Sequence, residues 1–173
     1  MIFKKIKLLI LMSDKTKKIE DYDFNSAEAG ASDTIPMEAG QIRKGGLIMI
    51  KGQPCKVADV STSKTGKHGY AKCNFIAYNI FNNKKLEDMI PSTHGTTVPI
   101  ISRTEYSLVD IDEDDFVTLM DENGETREDL KLPEYPENYA YELKEEFNNK
   151  QLLVTVLKAC GQEQIMSHKE DQN

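Results

Sequence analysis

Short apolar segments separated by Gly, Pro, Asn and Asp recur along this chain from about Gly40 onwards. Segments of this length, with turn-forming residues between them, predict β-strands rather than helices. Several such strands favour a small β-barrel over a helical or α/β fold. The strands predicted for the first half of the chain are Leu47–Lys51, Pro54–Val60, Tyr70–Phe81, Leu86–Ile90 and Thr97–Ile101.

The second half of the chain continues this pattern. Asn123 and Gly124 predict a type I′ turn between two strands, because both central residues of that turn need a positive φ. The strands predicted here are Tyr106–Ile111, Phe116–Met120, Glu125–Leu130 and, as a buried closing strand, Gln151–Ala159.

One helix is predicted between the last two of these strands, over Pro136–Asn149. Tyr139, Leu143 and Phe147 recur at i, i+4 and i+8, which places them on one face of a helix. Five strands with one intervening helix are typical of an OB-fold, and the four strands predicted here with this helix suit that fold.

Composition predicts a tail followed by two domains. Residues 13–34 are polar, acidic and rich in Gly, Ala and Ser, so residues 1–34 are predicted to be a disordered tail. Residues 1–11 are interpreted as an upstream extension, because their short apolar segment lacks the cleavage site of a signal peptide, with a targeting segment as the less favoured alternative. The chain is 39% hydrophobic and 8% aromatic, which suffices for two modest cores that meet near Pro99–Arg103.

The charge of the chain is divided between its halves. Residues 1–86 contain 15 Lys and Arg against 8 Asp and Glu, whereas residues 87–173 contain 7 against 21. No acidic residue lies between Asp59 and Glu87. A basic segment in an acidic protein favours a specific contact with a polyanion, although solvated lysines can also cluster by chance.

The loop Ser61–Gly69 lies in this segment and has no apolar side chain. Gly66 and Gly69 free the backbone on either side of Lys67 and His68. The loop does not fit a phosphate-binding loop, because it lacks the first glycine of that motif, has histidine after the lysine, and leads into a strand. A lysine held here projects into solvent, which also suits an ordinary surface turn.

Catalytic and metal-binding patterns are missing from the sequence, so we expect neither an enzyme nor a metal site. The acidic run Asp110–Asp115 is typical of a solvated face, and no G-x-S-x-G element occurs. No apolar segment approaches the roughly 20 residues that span a bilayer. The residues without CxxC or ligand spacing are Cys55, Cys73, Cys160, His68, His94 and His168. Unpaired cysteines of this kind favour a reducing compartment, and we expect a cytoplasmic protein.

Several motifs, in order along residues 21–159, make the chain resemble the eukaryotic translation initiation factor 5A family. The segment Ser61–Gly69 with Ala71-Lys72 resembles the modification loop of that family. The other matching segments are Arg43–Gly46, Lys51–Lys56, Lys84–Asp88, Pro91–His94, Arg127–Pro133 and the strand that ends at Ala159.

The resemblance implies an SH3-like N-terminal barrel at residues 35–100, carrying the modification loop, and an OB-fold at residues 101–173. It implies that Lys67 is converted to hypusine by deoxyhypusine synthase, with spermidine as aminobutyl donor, and then by deoxyhypusine hydroxylase. No bound cofactor is expected. The implied role is on the ribosome, beside P-site peptidyl-tRNA and rRNA, in promoting peptide-bond formation at proline runs and assisting termination.

The same resemblance assigns roles to residues around Lys67. Lys64 is a position for regulatory acetylation. The residues implied in RNA contact and in recognition by the modifying enzymes are Ser63, Lys64, Thr65, Gly66, His68, Gly69 and Lys72.

The main alternative is an unmodified RNA-binding module, since SH3-like and OB barrels often bind RNA. Such an OB-fold needs aromatic residues on which bases stack. Residues 101–131 contain only Tyr106 and Phe116, among many acidic residues. A small enzyme is a third reading, which the missing catalytic pattern opposes.

Overall fold

The computed structural model describes residues 32–64 and 66–172. The predictions of a tail and an upstream extension fall almost wholly on residues 1–31, which lie outside the described residues. The strands described are β1 (Thr34–Glu38), β2 (Leu47–Ile50), β3 (Gln53–Lys64), β4 (Ala71–Asn79), β5 (Lys85–Pro91), β6 (Gly95–Pro99), β7 (Ile101–Ile111), β8 (Phe116–Met120), β9 (Thr126–Lys131), β10 (Leu152–Ala159) and β11 (Gln162–Glu170); the helix α1 is Tyr139–Phe147.

The N-terminal half, β1–β6, forms a four-stranded antiparallel sheet in the order β2-β3-β4-β5 and a separate pair of β1 with β6. Alternation along β4 sets its two faces, since Cys73, Phe75 and Ala77 are buried while Lys72 is exposed. The buried residues pack with those of the neighbouring strands, chiefly Ile48, Ile50, Cys55, Val57 and Leu86.

The C-terminal half, β7–β11 with α1, forms a five-stranded antiparallel sheet in the order β11-β10-β7-β8-β9. The helix lies against this sheet through Leu143, which is fully buried, with Tyr139 and Phe147 packed beside it. These are the three residues whose spacing predicted the helix, which is confirmed, although it spans Tyr139–Phe147 and not the predicted Pro136–Asn149. Two strands escaped the sequence analysis: β1 contains Pro36, and β11 buries only Ile165 along nine mostly polar residues. Gln151–Ala159 is therefore not the closing strand.

The turn at Asn123 and Gly124 differs from the predicted type I′ turn. Gly124 has φ +81°, but Asn123 is not among the described residues with positive φ. Asp121 explains the difference, because its side-chain Oδ1 accepts hydrogen bonds from the backbone N–H groups of Asn123 (2.8 Å) and Glu125 (2.9 Å). An aspartate that binds the backbone of its own turn stabilises this different geometry.

A third apolar cluster joins the two halves. Phe81 follows β4 and packs against Leu157 and Ala159 of β10. Asn79 positions it, because the Asn79 Oδ1 accepts a 2.8 Å hydrogen bond from the Phe81 N–H. The Gln164 Nε2 of β11 donates a 3.1 Å hydrogen bond to the Phe81 carbonyl. The two predicted cores are thus accompanied by a smaller cluster that connects them.

The outermost strands of the five-stranded sheet, β9 and β11, are connected by Arg127. Its guanidinium donates to Glu163 of β11 (2.6 Å) and to Asp129 of β9 (2.6 Å). Both groups of the Arg127–Glu163 pair are about three-quarters buried. The pair therefore links the two edge strands of the sheet through their side chains.

This ion pair predicts a pH dependence of stability. The hydrogen bond from Arg127 lowers the pKa of Glu163 from its ordinary value of 4.5. A carboxyl with a lowered pKa in the folded state stabilises the protein above the pKa of the unfolded state, and this stabilisation is lost as pH falls through the folded-state pKa. We expect Arg127→Met to unfold more easily at pH 7 and to lose less stability than the wild type between pH 5 and pH 3, roughly the range in which such groups titrate. Denaturant unfolding at each pH measures this, and equal losses in both proteins would contradict it.

Candidate functional site on the β3–β4 hairpin

The predicted loop Ser61–Gly69 is the end of a long hairpin. β3 continues to Lys64 rather than ending at Val60, and it pairs with β4 through Thr62 opposite Cys73 and Lys64 opposite Ala71. The first four residues of the predicted loop are therefore strand. Ser61 to Lys64 are exposed nonetheless, because backbone pairing with β4, and not burial, holds them in place.

Lys67 lies in the turn that ends this hairpin. Gly66 has φ +70°, a conformation that glycine adopts without steric cost, and its carbonyl accepts a 3.4 Å hydrogen bond from the Gly69 N–H. Gly66, Lys67 and His68 are all exposed. The turn therefore presents the lysine away from the cores, on a base of paired strands.

The charges around this turn are of one sign. Lys64, Lys67 and Lys72 are exposed, and none of them forms an ion pair with any residue in the described part of the chain. Their ammonium groups are therefore available to an outside anion. The pairing of Ser63 with Lys72 places Lys72 on the opposite arm from Lys64, so positive charge flanks the turn on both strands.

The structure brings the predicted site residues together on one hairpin. Ser63 and Lys64 lie at the end of β3, Lys72 lies at the start of β4, and Gly66 to Gly69 connect the two. Thr65 lies outside the described residues. The roles predicted for these residues, including acetylation of Lys64, remain predictions.

One residue of this hairpin escaped the sequence analysis as a site residue. Tyr70 is 81% exposed, more than any other large apolar side chain among the described residues. The available signal was an aromatic residue in the window without acids, but the sequence analysis made it only the first residue of the predicted strand Tyr70–Phe81, whereas β4 begins at Ala71.

The rest of the described chain contains no cluster of metal ligands, no disulfide and no membrane-spanning helix. No group of three or more His, Cys, Asp or Glu residues there could hold a metal ion. Cys55, Cys73 and Cys160 are all free thiols. Among residues 32–64 and 66–172, no helix has the length and apolar character needed to cross a bilayer.

Comparison with known proteins agrees with this architecture. Residues 32–94 match the family model described as translation initiation factor 5A-like, N-terminal. Residues 100–169 match the model described as eukaryotic elongation factor 5A hypusine, DNA-binding OB fold. Eukaryotic translation initiation factor 5A-2 of Solanum lycopersicum is 55% identical over 153 residues, covering 87% of this chain and 95% of that protein.

Solved structures show the same similarity. A translation initiation factor 5A family protein from Naegleria fowleri superposes with a TM-score of 0.75 at 44% identity, covering 80% of this chain and 99% of that one. A protein described as eukaryotic translation initiation factor 5A from Methanococcus jannaschii gives a TM-score of 0.62 at 32% identity, with 79% and 96% covered.

Fold and sequence together define a translation factor built of an N-terminal β-barrel domain and an OB-fold, and the predicted fold class is confirmed. The chain belongs to the eukaryotic translation initiation factor 5A family.

Proposed function

We propose that Lys67 carries hypusine and that the β3–β4 hairpin acts on the cytoplasmic ribosome beside P-site peptidyl-tRNA and rRNA. There it promotes peptide-bond formation at stalling sequences such as proline runs, and it assists termination. The observation that carries the proposal is the place of Lys67, exposed in a turn that projects from paired strands with unpaired lysines on both arms.

Access to the side chain supports the modification. Deoxyhypusine synthase must bring an aminobutyl group from spermidine to the Lys67 Nζ, and deoxyhypusine hydroxylase must then reach the added chain. An exposed lysine next to a left-handed glycine offers both enzymes access to its Nζ. The residues around the lysine that the enzymes would recognise are Ser63, Lys64, Thr65, Gly66, His68, Gly69 and Lys72.

The length of the modified side chain suits a narrow site. A lysine ammonium lies roughly 6 Å from its Cα, and four added carbons with a nitrogen about double that reach. The added chain also has a second amine and a hydroxyl, which donate hydrogen bonds to phosphate, sugar or base edges. A thin side chain can enter a space that the barrel cannot.

The proposed contribution to peptide-bond formation is positional. No general acid, base or nucleophile is needed from the hairpin if hypusine orients the acceptor end of the tRNA, because correct orientation alone lowers the barrier of a reaction between two bound groups. Lys64, His68 and Lys72 would contact neighbouring phosphates, a kind of contact that sets orientation.

The alternative of an unmodified RNA-binding OB module is less well supported. Its two candidate stacking residues are half-buried and already have cationic neighbours. The Arg127 guanidinium carbon lies 5.7 Å from the centre of the Tyr106 ring, and the Lys131 ammonium lies 4.5 Å from that of Phe116. A base would have to displace these groups before it could stack.

Mass spectrometry of the protein from its native cells tests the proposal. We expect the peptide containing Lys67 to carry the mass of an added aminobutyl group and one oxygen, with fragment ions that place both on Lys67. Lys84 is exposed and lies in the same segment without acids, so its peptide from the same digest is the matched control and is expected to be unmodified. A Lys67 peptide found only in its unmodified form would refute the proposal.

A further inference from the structure

Tyr70 is an aromatic residue that no other part of the described chain covers. It is 81% exposed, although a tyrosine ring has the large apolar surface that proteins usually bury. No hydrogen bond or ring contact involves it within the described residues. Its side chain therefore contributes little to the stability of the fold.

The backbone beside Tyr70 is held firmly. Ala71 pairs with Lys64 across the hairpin, and the Ala71 carbonyl accepts a 2.8 Å hydrogen bond from the Ser92 N–H. Tyr70 is thus covalently next to Ala71, whose backbone is held by both β3 and Ser92. A ring fixed at its base loses little conformational entropy when a partner covers it, because a tyrosine has only two rotatable side-chain torsions.

The surroundings of Tyr70 favour an RNA nucleotide over an apolar protein surface as the partner. Lys72 lies two residues further on and is exposed in the same way, about 6–7 Å along an extended chain. No acid lies between Asp59 and Glu87. An aromatic face next to unpaired lysines is the combination that binds single-stranded nucleic acid, with a base stacked on the ring and a phosphate at the cation.

We propose that Tyr70 is a positioning residue of the RNA interface, on which an unpaired base of the bound RNA stacks while Lys72 contacts the adjoining phosphate. This rests on the proposed function of the hairpin as an RNA-contacting element and adds to its phosphate contacts a stacking contact at the base of the turn. Stacking tolerates any base, so Tyr70 would fix the position of the RNA strand without reading its sequence.

The test uses the full chain and an RNA minihelix with a single-stranded 3′ end that contains the fluorescent base 2-aminopurine. Stacking on an aromatic ring quenches this base, so quenching reports the contact itself. We expect Tyr70→Ala to weaken RNA binding about 5- to 100-fold and to abolish the quenching of 2-aminopurine that accompanies binding. We expect Tyr70→Phe, which keeps the ring, to retain both.

Two controls separate stacking from other effects. Tyr141 is 66% exposed on α1, far in sequence from the hairpin, and Tyr141→Ala is expected to bind RNA like the wild type. Lys72→Ala is expected to reduce the slope of log affinity against log salt by about 0.7, as loss of one phosphate contact does on a single strand, whereas Tyr70→Ala leaves that slope unchanged. The melting temperature of Tyr70→Ala is expected to match that of the wild type.

Wild-type affinity and quenching in Tyr70→Ala would overturn this inference. The measurement needs only unmodified protein, so its outcome is independent of hypusine. If Tyr70→Ala binds normally while Lys67 is found modified and needed for proline-run translation, the inference fails and the proposed function stands.

Discussion

Lys67→Arg is expected to fold normally and to lose its stimulation of translation through proline runs. Arginine keeps one positive charge at the turn, but its guanidinium cannot accept the aminobutyl group that a lysine amine accepts. Lys67 is exposed and has no ion pair within the described residues, so the free energy of unfolding should change by less than about 0.5 kcal/mol. The effect is therefore functional and not structural.

A reconstituted translation system with a proline-run reporter measures this expectation. We expect the rate through the run to fall by about tenfold or more, to the rate seen without the factor, which corresponds to about 1.4 kcal/mol of lost transition-state stabilisation. Lys84→Arg makes the same chemical change at another exposed lysine and is expected to retain wild-type stimulation. A reporter without prolines should respond little to either variant. Full stimulation by Lys67→Arg would refute the proposed mechanism.

The second large effect is expected in stability, from Phe81→Ala. Phe81 is 2% exposed and fills the cluster between the two halves, against Leu157 and Ala159. Truncation removes the whole ring and leaves a cavity, which for a buried phenylalanine costs about 3–5 kcal/mol. That is a large part of the 5–15 kcal/mol or so that stabilises a typical domain.

Urea unfolding followed by far-ultraviolet circular dichroism measures this loss. We expect Phe81→Ala to lower the midpoint while the dependence on urea stays similar, since the surface exposed on unfolding changes little. Tyr141→Ala removes an exposed aromatic residue from α1 and is expected to change stability by less than about 0.5 kcal/mol. A loss below about 1 kcal/mol in Phe81→Ala would mean that the cluster does not hold the halves together.

The helix and strand predictions were confirmed where they depended on neighbouring residues, and they failed where distant residues decide the structure. The helix with Leu143 and strands such as β4 were predictable because the periodic spacing of their apolar residues is visible in the local sequence. β1 and β11 were not, because proline and polar residues hide the pattern and only their partners, β6 and β10, make them strands. The prediction of a type I′ turn at Asn123 was wrong because the Asp121 side chain accepts hydrogen bonds from the backbone N–H groups of Asn123 and Glu125.

For the candidate site, the sequence by itself determined the chemistry: a lysine beside a glycine, in a segment without acids, within motifs of a known family. These are local properties of composition and order, so they need no fold to be read. The tertiary structure alone decided three things: that β3 extends the hairpin to Lys64, that Tyr70 stays exposed, and that Arg127 and Phe81 connect distant strands. Burial and pairing depend on residues far apart in the chain, and for that reason no local pattern predicts them.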